Sequence, residues 1–125
     1  MTFQFLFEQF QALPSGSDSF KQLKNQCEQH IKTANSALEQ SALFLIYGFA
    51  KNYVLLYEDQ AVTAEFSTAA KTQLLNYMQQ LNDALQTQNK ALILDSLNHV
   101  TQHYMLSSRV FWFNSWMTYH KIYTS

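Results

Sequence analysis

The chain has 125 residues, 47% hydrophobic and 14% charged, with a formal net charge of −1. That length sets an expectation of one domain, 1–125, able to hide roughly two-thirds of its unfolded surface without a disulfide or metal staple. So apolar a composition excludes a disordered chain, and two glycines with one proline leave too little turn chemistry for an all-β fold.

Phe3, Leu6, Phe7, Phe10 and Leu13 recur at helical spacing and predict a short aromatic helix within 1–13. The competing strand pattern, Phe3, Phe5 and Phe7, explains fewer residues. Residues 14–18, Pro14-Ser15-Gly16-Ser17-Asp18, read as a linker, because proline stops a helix and glycine and serine suit a turn. Ser19 then stands three residues before Gln22, a capping-box spacing.

From Phe20 the apolar residues step by three or four through Leu23, Cys27, Ile31, Ala34, Leu38, Ala42, Leu45, Phe49 and Tyr53 to Leu56. This predicts one long helix over 19–58, or two with a joint near Asn35-Ser36, where Ser36 and Glu39 repeat the capping-box spacing. Beyond Leu43 the pattern is apolar on most sides, which predicts burial all round. Within it, Gly48 is expected to let a neighbouring helix pack close.

A third helix is predicted over 63–86, with Thr63 as its cap and Phe66, Ala70, Leu74, Tyr77, Met78, Leu81 and Leu85 as its inner face. After the break at Thr87-Gln88-Asn89, a last helix is predicted over 90–123, with Ile93, Leu97, Val100, Tyr104, Ser107, Phe111, Ser115 and Ile122 inward. The expected fold is all-α: an antiparallel helical bundle of three long helices plus a short N-terminal helix. Short connections favour antiparallel neighbours.

Cys27 is the only cysteine, so no internal disulfide is possible, which fits a reducing compartment. The start lacks a basic region, and Glu8 interrupts it where an export signal would still be apolar. The longest apolar run, 42–50, is less than half of what a spanning helix needs. These readings point to the cytoplasm.

Asp95, His99 and His103 stand four residues apart on one helix and could offer three metal ligands. The plainer reading is a histidine pair at the edge of a buried face, on a stripe with Leu92, Leu106 and Val110. Neither a Glu-x-x-His pair nor His-Glu-x-x-His is present, so the carboxylate-bridged di-iron and zincin patterns are missing. His30 and Met78 read as packing residues, not haem ligands. Cys27, between Leu23 and Ile31, reads as a small core hydrophobe. No metal or cofactor is expected, and no catalytic residue.

The last predicted helix carries seven aromatics from Tyr104 to Tyr123 and no acid from Ser96 onward. One core cannot take them all, because Trp112 and Trp116 project about 100–130° away from the Phe111 face. Trp112, Phe113, Trp116, Tyr119, Tyr123 and, near the start, Phe5 are therefore the candidate interface residues. Tryptophan and tyrosine bury large area at little entropic cost.

The net charge of 89–125 is +2, too little to neutralise the phosphates of a salt-dependent nucleic-acid complex. The leading expectation is a non-catalytic interaction module of the adaptor, chaperone or anti-activator kind, with a protein partner or itself, as a homodimer, on the aromatic surfaces. A lipid- or polymer-granule-surface protein is the alternative, since aromatics with Lys and Arg suit an interfacial helix. A metal- or haem-binding bundle using His99 and His103 comes third. In size, glutamine content and helical character the chain is similar to small bacterial regulators and secretion chaperones, and loosely to phasins; the similarity is compositional and assigns no residue a role.

Overall fold

Five helices and no strand occupy the described residues, 2–107, of the computed structural model: α1 Thr2–Ala12, α2 Ser17–Ile31, α3 Ala37–Tyr57, α4 Ala64–Thr87 and α5 Lys90–Leu106. The expected helix over 19–58 is thus two. The Ser36 hydroxyl accepts the Glu39 N–H at 3.1 Å, and the Glu39 carboxylate accepts the Asn35 N–H at 3.0 Å. This is a capping box with its return bond moved one residue outward, a device worth about 1 kcal/mol. The box expected at Ser19 is absent. Gly16 is the N-cap and offers no side-chain acceptor, and Ser19 is buried in the first turn of α2.

Thr63 and Asn89 cap α4 and α5 by accepting the Phe66 and Leu92 N–H groups at 3.0 and 3.1 Å. α4 ends without a glycine: Gln88 takes the left-handed conformation, at φ 55°. α5 ends at Leu106 with Ser107 as its C-cap. The remainder of the expected last helix, 108–123, lies outside the described residues.

α2 and α3 run antiparallel. Lys21 at the start of α2 pairs with Glu58 just past the end of α3, and Gln40 bonds the Ile31 carbonyl at the opposite end. α4 and α5 are antiparallel too, with Tyr77 meeting His103 and Ser96 reaching Gln80. α1 lies against α2 and α4, with Gln4 by Gln86 at one end and the Lys71 ammonium on the Gln11 and Leu13 carbonyls at the other.

The core is largely aromatic. Phe10 meets Phe20 edge-on at 5.4 Å, Phe20 stacks on Tyr53 at 3.9 Å, and Tyr53 faces Phe66 at 6.4 Å, so the chain of rings crosses α1, α2, α3 and α4. A second cluster joins Phe49 of α3 to Tyr77 of α4 at 5.4 Å and to Tyr104 of α5 at 3.8 Å. Such pairs add about 0.5–1.5 kcal/mol each beyond the area they bury. The inner face expected for α4 is buried as read, with Leu85 at its margin.

Candidate functional site

The three residues that could have offered metal ligands, Asp95, His99 and His103, do not converge on one point. Asp95 and His99 are exposed, and no group of three His, Cys, Asp or Glu among the described residues is arranged to hold a metal ion. Of the expected boundary pair only His103 borders a buried face, against Tyr77; along the same stripe Leu92 is half-exposed and Leu106 is 82% exposed. α5 packs through Ile93, Leu97, Val100 and Tyr104, and His99 projects about 120° from that face. His103 instead reaches Tyr77 of α4, with its Nδ1 2.7 Å from the phenol oxygen. Gln73 donates to the same oxygen at 2.8 Å. Burial raises the Tyr77 pKa and keeps the phenol protonated at neutral pH.

Cys27 is fully buried, and desolvation pushes its thiol up to about 12. It packs as a core residue, as its neighbours predict. Its thiolate, the form that attacks electrophiles, is scarce at neutral pH.

What the fold does leave open is an apolar trough between α3 and α5. Phe49 and Asn52 of α3 meet Tyr104 of α5, the first by ring stacking and the second by a 2.8 Å hydrogen bond. Above this junction lies an open hollow of about 720 Å³, lined among others by Ile31, Ala37, Phe44, Leu45, Leu97 and Thr101. A second hollow of about 260 Å³ lies on the other side of Phe44, against Cys27, Ile31 and Tyr47. Phe44 is thus a ridge between two depressions. It is 63% exposed, although it sits in the most apolar stretch of the sequence.

Leu55 is 71% exposed and lies eleven residues, or three turns, from Phe44, so both occupy one face of α3. On α5, Leu94 and Met105 repeat that spacing beside Leu97 and Thr101, and both are exposed. Gly48 falls on the α3 stripe between Phe44 and Leu55, and a Cβ built there meets no atom within 4 Å. Two expectations are corrected here. α3 is not buried all round, and Gly48 admits no neighbouring helix among the described residues.

Of the expected interface residues, Phe5 is half-exposed on α1, which does not line the trough. Trp112, Phe113, Trp116, Tyr119 and Tyr123 lie outside the described residues. Sequence reading missed Phe44, Leu55, Leu94 and Met105. The signal was present in the nearly uniform apolarity of α3, which a helix shows when it is enclosed and also when one of its faces is reserved for docking.

No described helix is long and apolar enough to cross a membrane. No protein-family profile matches the chain, and neither a characterised protein nor a solved structure is significantly similar to it.

Proposed function

We propose that this chain is a non-catalytic protein-interaction module, of the adaptor, chaperone or anti-activator kind, that takes up an apolar helical segment in the trough between α3 and α5. The observation that carries this reading is the exposed Phe44 ring, flanked by two apolar hollows and aligned with Leu55. Single exposed leucines are ordinary on a protein surface, whereas a contiguous apolar patch marks an interaction site. Two parallel rows of apolar side chains with hollows between them suit a helix laid in a groove, whose anchors recur every three or four residues. An open trough fits a small molecule less well, because such ligands need most of their surface enclosed.

Site-specific photo-crosslinking tests the reading. A photoreactive residue at Phe44 or Leu94 should give discrete protein adducts in cells that express the chain. The same residue at Asp83, exposed on α4, should give none. An adduct of twice the chain mass identifies a second copy as the partner. Equal labelling from Asp83, or no protein adduct from the trough, would remove the reading.

A further inference from the structure

We propose that α1 is a releasable strap: it lifts off α2 and α4 as one unit, hinged at residues 13–16, while α2, α3 and α4 stay folded. The strap is separate from the trough, which α1 does not line. Its seat, its ties and its hinge each point to this.

α1 crosses α4 along a single stripe. Gln86 bonds Gln4 near the start of α1, and Lys71 reaches the Gln11 and Leu13 carbonyls at its end. Leu75, Met78 and Asn82 fall between Lys71 and Gln86 at steps of three and four, so all five residues share the face turned to α1. Asn82 is 7% exposed, and its Oδ1 has no hydrogen-bond partner among the described residues. On α2, Gln26 donates to Gln9 of α1 at 2.6 Å, while its own Oε1 is buried and equally unpaired. Two orphaned oxygens thus lie at the seams of one helix. A buried acceptor without a donor is a cost of the closed state, and it is relieved when water reaches the group.

Phe3, Leu6, Phe7 and Phe10 are buried and hold α1 down. The polar ties that assist them sit at its two ends: Glu39 on the Phe3 N–H, Gln86 on Gln4, and Lys71 on the last carbonyls. The Gln86 tie and the Lys71 bond to Gln11 are exposed, so water replaces them readily. α1 is also the shortest of the described helices. Segments held by few and exposed bonds are those that open below the global unfolding free energy. At the hinge, Pro14 keeps α1 and α2 from fusing into one helix, which confines the motion to the join.

Opening bares two matched surfaces together. One is the Phe3, Leu6, Phe7 and Phe10 face of the strap. The other is the surface beneath, where Phe20 meets Phe10 edge-on at 5.4 Å and Met78 lies on the α4 stripe. Closed, α1 conceals both.

Hydrogen exchange of the full chain, resolved by residue, tests the strap. Amides in residues 6–12 should exchange roughly tenfold or more faster than the slowest amides of α3 and α4, the mark of a sub-global opening. Phe49→Leu loosens the Phe49, Tyr77 and Tyr104 cluster, which α1 does not join. It should speed exchange in α3 several-fold and leave α1 unchanged, because the strap opens without breaking that cluster. Asn82→Leu removes the orphaned oxygen and should slow exchange in α1 roughly tenfold. Equal rates in α1 and α3 would overturn the proposal, since α1 would then leave only on global unfolding. So would a Phe49→Leu variant that speeds both helices alike, or a folded Asn82→Leu variant whose α1 exchanges no more slowly.

Discussion

The carboxylate of Glu39, in the first turn of α3, accepts the backbone N–H of Phe3 at 3.2 Å across 36 residues of sequence. Its other oxygen holds the Asn35 N–H at 3.0 Å, so a single side chain, 5% exposed, fixes both the start of α1 and the turn into α3. Each bond is charge-assisted, and the acid faces the positive end of the α1 dipole. Glu39→Ala should therefore destabilise the fold by about 2–4 kcal/mol, because two N–H groups lose their acceptor. Glu39→Gln, which keeps the shape but loses the charge and one acceptor, should cost less. Urea unfolding of the three proteins checks the order.

Phe44→Gln should behave in the opposite way. The ring is mostly exposed, so global stability should change by no more than about 0.5 kcal/mol, whereas crosslinking from the Leu94 position should disappear. A large fall in melting temperature would mean that the ring belongs to the core.

Cys27 ties stability to alkaline pH. Burial raises its folded pKa to about 12, against an ordinary value of 9.0. The protonated thiol's contribution is therefore complete below pH 9 and is lost as pH rises from there towards 12. Stability should fall by up to about 1.4 kcal/mol per pH unit in that window, since the unfolded chain ionises first. Tyr53, Tyr77 and Tyr104, also raised by burial, add to the fall above pH 10. Denaturant titrations at pH 7, 9 and 10 should show a shallower decline between pH 9 and 10 in Cys27→Ala.

At the end of α4, Gln88 adopts a backbone conformation that glycine enters without strain. Gln88→Gly should stabilise the protein by about 1 kcal/mol, the left-handed penalty less the entropy glycine adds to the unfolded chain. A lowered melting temperature would mean that the Gln88 side chain has a structural role.

His103→Ala removes a hydrogen-bond partner of the Tyr77 phenol and should cost about 1–2 kcal/mol. His99→Ala, at an exposed position, should cost almost nothing. Comparing the two separates a hydrogen-bonding role from a shared one: a metal held by both would make the two losses similar and sensitive to chelator.

Much of this architecture is legible in the residues. Thr63 announces α4, and the face from Phe66 to Leu81 is read off its period, because an amphipathic helix against a core writes its buried side at every third or fourth position. The break between α2 and α3 is harder to see. Lys32, Thr33, Ala34, Asn35 and Ser36 contain neither glycine nor proline, and Ile31 and Ala34 both pack on the core, with Leu38 four residues on, so the apolar count passes through the turn without missing a step. Only the Ser36–Glu39 spacing marks it. The trough was illegible for a different reason. Phe44 and Leu43 look alike in sequence, and only the placement of α5 leaves one of them uncovered.

The two ends of α1 are held by side chains that come much later in the sequence: Glu39 at its start, and Lys71 on the carbonyls at its finish. An eleven-residue helix has little stability alone in water. During synthesis, α1 leaves the ribosome ahead of the groups that hold it, and must wait for α3 to secure one end and for the first turns of α4 to secure the other. Until residue 71 has emerged, Phe3, Leu6, Phe7 and Phe10 have no settled place in a core, and this nascent apolar stretch stays open to unwanted association.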